Sequence, residues 1–445
     1  MRNAMRRSNL PVHTKLGWGL TFLTLLFSAA CDSLEVEDPN APAFDDVSIQ
    51  SLVVGTEGGM RLALGVYLRV VGALGRETYY FEPADPRYTG ELYTGPLDPN
   101  GFLLTNSWAA RYAVIKNATT LLERSAASVE LSDPQKAGVD GFARTIIAYQ
   151  LLLNLNLTYD NGIKIVFNDD VNTPFVTRAE GLAEVARYLD EAAGDLGQAG
   201  GAFVFTLSPG FAGFNTPATF LQFNRALRAR VALYQEDYTT VLSALDASFL
   251  DEDAGMDLGV YHAFSAATGD RTNPMFEVPT SPSVKLRAHP DVKAEAEAGD
   301  QRYATKVLDR SGEAGFNPSP SAAAGLSSAL VATVAGGSSA PYPIIRNEEL
   351  FLIRAEAYAE QGSLGLAEQD INRVRAAAGL DPITLSANNA TDQIQHERFY
   401  SLFAEGHRWI DIRRQGRLNE LPNDRATDQI FTQFPRPLDE VPQGS

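Results

Sequence analysis

The sequence is poor in cysteine, in histidine and in positive charge. One cysteine in 445 residues means that no disulfide closes within the chain. The fold therefore rests on its core, and 44% hydrophobic residues over this length supply a large one. Acidic residues outnumber Lys and Arg 55 to 37, for a formal charge of −18. That balance argues against nucleic acid as a partner, because phosphates need a basic surface, and against lying on anionic lipid through a basic patch. Catalytic signatures are also missing. There is no G-x-S-x-G elbow, P-loop or G-x-G-x-x-G. In "HERFY" a zinc-binding HExxH would need a second histidine where Tyr400 stands. "DEDAGMD", 251–257, has Gly255 one place early for a calcium loop and His262 where the twelfth-position Glu belongs. No metal or cofactor is expected. Carboxylate pairs stay open, since 55 acidic residues allow many, but none is singled out.

After residue 31 no stretch is long and apolar enough to span a bilayer. The one apolar run, "LGWGLTFLTLLFSAA", follows Arg2, Arg6, Arg7 and Lys15 and reads as a secretory signal peptide over residues 1–30. Removing those four basic residues takes the formal charge from −18 to −22. Cys31 follows directly, and "SAAC" resembles a bacterial lipobox, with Ser28 where Leu is usual. Lipidation at Cys31 would explain one unpaired cysteine in an exported chain. Residues 31–48, acidic and without periodicity, read as a flexible tether, and the folded domain as 49–445.

Helical periodicity dominates that domain, with repeat-like helix pairs near 105–158, 178–248 and 346–379. Ser132 is a cap signal, and Thr177 with Glu180 makes a capping box. In the 34 residues of 346–379, aligned on Gly362, Phe351, Ala355, Tyr358, Ala367, Ile371 and Val374 stand where a tetratricopeptide repeat packs. The pair at 218–248 follows less well, with Glu236 where the repeat prefers Gly and Val241 where it prefers Ala. Residues 76–106 read as a long loop rich in aromatics, and 251–343 as mostly irregular. The fold class is thus mainly α: repeat-like hairpins forming one body, with long irregular binding loops.

"HERFYSLFAEGHRWIDIRRQGR" crowds charges together. Its apolar residues recur at spacings that put them inside two helices joined near Gly406, and Arg408, Asp411 and Arg414 can pair locally. This reads as a clasp between helices rather than an active site.

These residues also carry a family resemblance. The 346–379 pair, followed by Glu397, Arg398, Phe403, Glu405, Gly406, Arg408, Trp409, Asp411, Arg413 and Arg414, resembles the C-terminal signature (391–445) of the SusD/RagB outer-membrane lipoproteins. "FPRPLDEV" is similar to their closing F-P-I-P-x-x-E, and Trp108, Tyr112, Ile115 and Asn117 resemble an earlier motif. "YDNGIKIVF" departs from the family's Y-G-x-V-P-L run. The resemblance implies a non-enzymatic, surface-exposed lipoprotein facing the cell exterior. It would capture glycans, or in some cases peptides, and pass them to a SusC-like TonB-dependent barrel transporter in the outer membrane. A repeat-type adaptor for protein partners and a carboxylate hydrolase are the alternatives. Candidate ligand residues are Tyr79, Tyr80, Tyr88 and Tyr93 for stacking on sugar faces, with Glu82, Asp85 and Arg87 as polar neighbours. Phe211, Phe214 and Asn215 are a second set. Each ring has an alternative role, pinning its own loop to the body.

Overall fold

A computed structural model describes residues 47–167 and 172–441. The leader, Cys31 and nearly all of the tether lie outside the described residues. The unit that starts at Ile49 is described below.

The first periodic stretch is broken at residues 61–63, where Ala63 takes φ 51°, into α1 (Ile49–Met60) and α2 (Leu64–Leu74). Next come β1 (Thr78–Tyr80) and the single turn α3 (Glu91–Thr94), both within the stretch read as loop. Five long helices follow: α4 (Phe102–Ala127), α5 (Asp133–Thr158), α6 (Arg178–Gln198), α7 (Pro217–Tyr234) and α8 (Tyr238–Asp246). The expected caps form. Ser132 and Gln135 close a capping box on α5, as do Thr177 and Glu180 on α6. Residues 145–158 of α5 are buried without interruption, because apolar residues dominate every face of that half of the helix. That makes α5 the central helix, flanked by α4 and α6.

Each helix packs on the next in chain order from α4 to α8. The series then jumps to α11 (Asn347–Glu360), which touches both α7 and α8, and ends with α12 (Leu364–Ala377), α13 (Ala390–Ser401) and α14 (Arg408–Arg414). Phe351, Ala355, Ala367, Ile371 and Val374 are fully buried in one cluster, with Tyr358 packed at its edge. Gly362 turns the α11–α12 hairpin with φ 76°. At the α7–α8 turn Glu236 takes the same left-handed region with φ 60°, at the cost its Cβ imposes.

Between α8 and α11 the chain is less irregular than its composition suggests. It carries β2 (Gly259–His262), β3 (Leu286–Ala288), the short helices α9 (Asp291–Ala294) and α10 (Gln301–Lys306), β4 (Val307–Asp309), β5 (Leu330–Ala332) and β6 (Tyr342–Arg346). One antiparallel sheet has the order β1-β3-β5-β4, and β2 pairs with β6 in a second. The 76–106 segment is thus fastened through β1 to a strand some 200 residues away in sequence, and pairing at that distance leaves no local signature.

Candidate functional site

The aromatic loop does not present a stacking face. Tyr79, Tyr80, Tyr88 and Tyr93 are at most 5% exposed. Tyr79 and Tyr80 sit in β1, paired with Arg287 and Leu286 of β3. Tyr79 stacks on Phe81 at 5.5 Å, Tyr88 meets Tyr80 edge-on at 4.9 Å, and Arg76 lies 4.2 Å over the Tyr93 ring. The reason is energetic: large rings beside a strand gain more from burial than from facing water. The rings pin the loop, which corrects their assignment as stacking residues. Their polar neighbours stay nearer the surface but pair with protein groups. Glu82 accepts from Lys285 Nζ at 2.9 Å, and Arg87 bonds Asp85 at 2.7 Å. Phe214 is buried too, against Phe249, which corrects its assignment as a ligand residue, whereas Phe211, though mostly buried, keeps an edge on the concavity described below. Asn215 beside them is exposed.

Most of the charged C-terminal stretch is buried or half-buried and paired within the protein; Arg408, expected to pair locally, instead lies 3.9 Å over the Phe399 ring. Glu397 accepts from Arg302 and Arg375, both at 2.6 Å. Asp411 is held by Arg398 at 2.8 Å and Arg414 at 3.0 Å, and Arg414 reaches Glu356 on α11 at 2.6 Å. Burial opposes ionisation of Asp411, but Arg398 and Arg414 win and hold its carboxyl at about 2. Glu297, His396 and Glu397 are spaced as a cation site would be, yet both carboxylates bind Arg375, at 2.5 and 2.6 Å. Trp409 has no exposed surface, and its indole N–H donates to the Phe431 carbonyl at 2.9 Å. The arrangement is a clasp joining α10, α11, α12, α13 and α14.

An open concavity lies elsewhere. It is built from three segments distant in sequence: α1, residues 206–211, and the end of β2 with the loop after it. Side chains of α1 hold the second wall in place. Gln50 bonds both the N–H and the carbonyl of Thr206, at 2.7 and 3.0 Å, and Glu57 accepts the Ser208 N–H at 3.1 Å. Gly210 lets the second wall meet β2, since a Cβ there would lie 2.0 Å from the Tyr261 carbonyl oxygen. Arg61 crosses the cleft, donating to the Ala263 carbonyl at 2.8 Å and to Asp270 at 2.6 Å. Arg61 and Asp270 line each of three neighbouring lobes of about 410, 440 and 500 Å³, each within the range of small-ligand sites.

The first lobe combines an apolar floor with polar edges. Phe211 and Phe264 line it with Val54, which is 59% exposed, and Gln50, Glu57, Ser208 and Ser265 surround them. Burial raises the Glu57 carboxyl above its usual value. The Arg271 backbone N–H and the Arg61 guanidinium hold Asp270 below its own. His262 at the base is pushed down to about 3 by burial and by Arg111 and Arg61, so it is neutral at pH 7. Of the residues expected to bind ligand, only Phe211 belongs here. Sequence reasoning missed Gln50, Glu57, Arg61, Phe264 and Asp270, because nothing local links the three segments.

Comparison with known proteins agrees with the helical architecture and with the C-terminal motif. The SusD family model matches residues 331–444. The fold is shared with a SusD superfamily protein of Bacteroides vulgatus, at TM-score 0.64 and 16% identity, over 86% of this chain and 90% of that one. The chain has the SusD fold, and its C-terminal region resembles the SusD family. A SusD-like carbohydrate binding protein of B. vulgatus matches at TM-score 0.64 and 17% identity, over 82% of this chain and 83% of the other. Surface glycan-binding protein A of Bacteroides thetaiotaomicron, solved with laminarihexaose, matches at 0.64 and 14%, over 84% and 90%. No curated protein matches. Among the described residues no helix of this SusD-like chain is long and apolar enough to cross a membrane.

Proposed function

We propose that this SusD-like chain captures glycans, without turning them over, in the cleft bridged by Arg61 and Asp270. The cleft carries the reading: an aromatic floor of Phe211 and Phe264, edged by amide, hydroxyl and carboxylate groups, suits a ligand with CH faces and many hydroxyls. Two proteins of the same fold support the ligand class, one described as carbohydrate binding and one solved with laminarihexaose. A peptide is the second ligand class. The folded unit is 49–445, following a signal peptide (1–30) and a tether (31–48). Lipid on Cys31 anchors it to the outer membrane, facing the exterior, and the cargo passes to a SusC-like TonB-dependent transporter. Purification of the native protein in mild detergent tests the last step. A large β-barrel transporter in fixed proportion is expected; a protein that purifies alone, where other membrane complexes survive, contradicts it and favours the adaptor reading.

One observation favours hydrolysis as a second reading. Glu57 and Asp270 line one cleft, with one carboxyl raised and the other lowered, as an acid and its partner would be. Their ties to Ser208 and Arg61 favour structural roles. Release of shorter sugars from a bound oligosaccharide would establish hydrolysis.

A further inference from the structure

We infer that the cleft selects glycans bearing an anionic group, a uronate carboxylate or a sulfate ester, and seats that group in the lobe ringed by Arg61, Arg69 and Arg271. This rests on the glycan-capture reading above. The chain as a whole is strongly acidic, yet this lobe of about 440 Å³ is lined by three guanidiniums and one carboxylate, Asp270.

Two of the three cations are fixed before any ligand arrives. Arg61 is held by the Ala263 carbonyl and Asp270. Arg69 donates to the Pro274 carbonyl and lies 4.2 Å over the Tyr80 ring, and its buried Nε has no partner. The third is available: the exposed Arg271 side chain has no hydrogen bond or ion pair among the described residues, and it also lines the adjoining 500 Å³ lobe. Asp270 is already matched by Arg61, so Arg69 and Arg271 leave an excess of positive charge. A guanidinium presents parallel N–H donors to a carboxylate or sulfate, and a concave wall weakens the screening such a pair meets in open water. Ser265 and Thr272 supply hydroxyls beside the cations, and Phe264 an apolar face shared with the first lobe. An anionic sugar bound at Arg271 thus has room to continue along the chain toward Phe211. The same Phe264 floor favours a sugar ring over an extended peptide carboxylate.

The test is equilibrium binding to hexasaccharides of galacturonate, of a sulfated galactan, of neutral galactan and of laminarin. Wild-type protein and Arg271→Ala are compared at low salt and at 0.5 M NaCl, with melting temperature as the folding control. Preference for galacturonate assigns the carboxylate, and preference for the sulfated galactan assigns the sulfate. In either case Arg271→Ala should weaken anionic binding about tenfold without a shift in melting temperature, and salt should weaken it too. Neutral hexasaccharides bound as tightly as anionic ones, or an anionic preference that survives in Arg271→Ala, overturns the inference and leaves glycan capture standing. Failure to bind any of the four overturns both.

Discussion

Trp409→Ala separates a structural clasp from a functional site in the C-terminal stretch. The indole is fully buried, Arg413 lies 4.2 Å over it, and its N–H donates to Phe431. Removing a buried Trp costs about 3–5 kcal/mol through lost transfer energy and the cavity left behind. The orphaned Phe431 carbonyl places the change toward the upper end. Unfolding entropy of about 2.1 cal/mol/K per residue gives roughly 0.8 kcal/mol/K for a unit of about 400 residues, so the melting temperature should fall by about 4–6 °C. Differential scanning calorimetry reads this directly, and glycan binding measured well below the transition should persist. An unchanged melting temperature together with lost binding would refute the clasp and make this stretch part of the ligand site.

Four further outcomes are expected. Glu77 is buried and pushed up to about 8, against an ordinary value near 4.5, with one carboxylate oxygen unpartnered. The folded state therefore holds a proton that the unfolded chain releases, and stability drains away as pH rises from about 4.5 to 8; Glu77→Gln should stabilise by about 2–3 kcal/mol at pH 8 and by little at pH 4, read by urea titration. His262 is the opposite case: its folded value of about 3 lies below the ordinary 6.5, so stability present above pH 6.5 is lost as pH falls, by about 2 kcal/mol at pH 5, and His262→Gln should flatten that slope. Glu236→Gly should raise stability by about 0.5–1 kcal/mol by relieving a left-handed residue, and an unchanged or lower denaturation midpoint would contradict that reading of the turn. Cys31→Ala should leave folding intact and release the protein from membranes, and detergent-dependent anchoring of the variant would sink the lipoprotein reading.

The helical scaffold was legible because its signals are local. Caps such as Thr177 with Glu180, and packing positions such as Ala355 and Ala367, act within a turn or two and are written at fixed spacings. Glu236, out of place in the repeat pattern, turned out to be a strained turn residue. The clasp was half legible: Asp411 and Arg414 could be paired by spacing, but Arg408, expected to join them, lies 3.9 Å over the Phe399 ring instead, and Arg398, which meets Asp411, and Arg302 and Arg375, which meet Glu397, come from too far along the chain. The tyrosine-rich loop misled because a run of rings and prolines looks the same whether it faces water or pairs as β1 with a distant strand. The cleft was invisible for the same reason. Gln50, Ser208 and Asp270 come from three parts of the chain, and only tertiary packing brings them together.

The most direct test of glycan capture in this cleft is a binding isotherm for wild-type protein and Val54→Trp, using whichever hexasaccharide binds. Val54 is exposed on the cleft wall, so a tryptophan there fills the space without disturbing the core. Saturable binding by the wild type, lost in a variant with the same melting temperature, is the predicted result. Equal affinity in both proteins would place the ligand elsewhere and contradict the account.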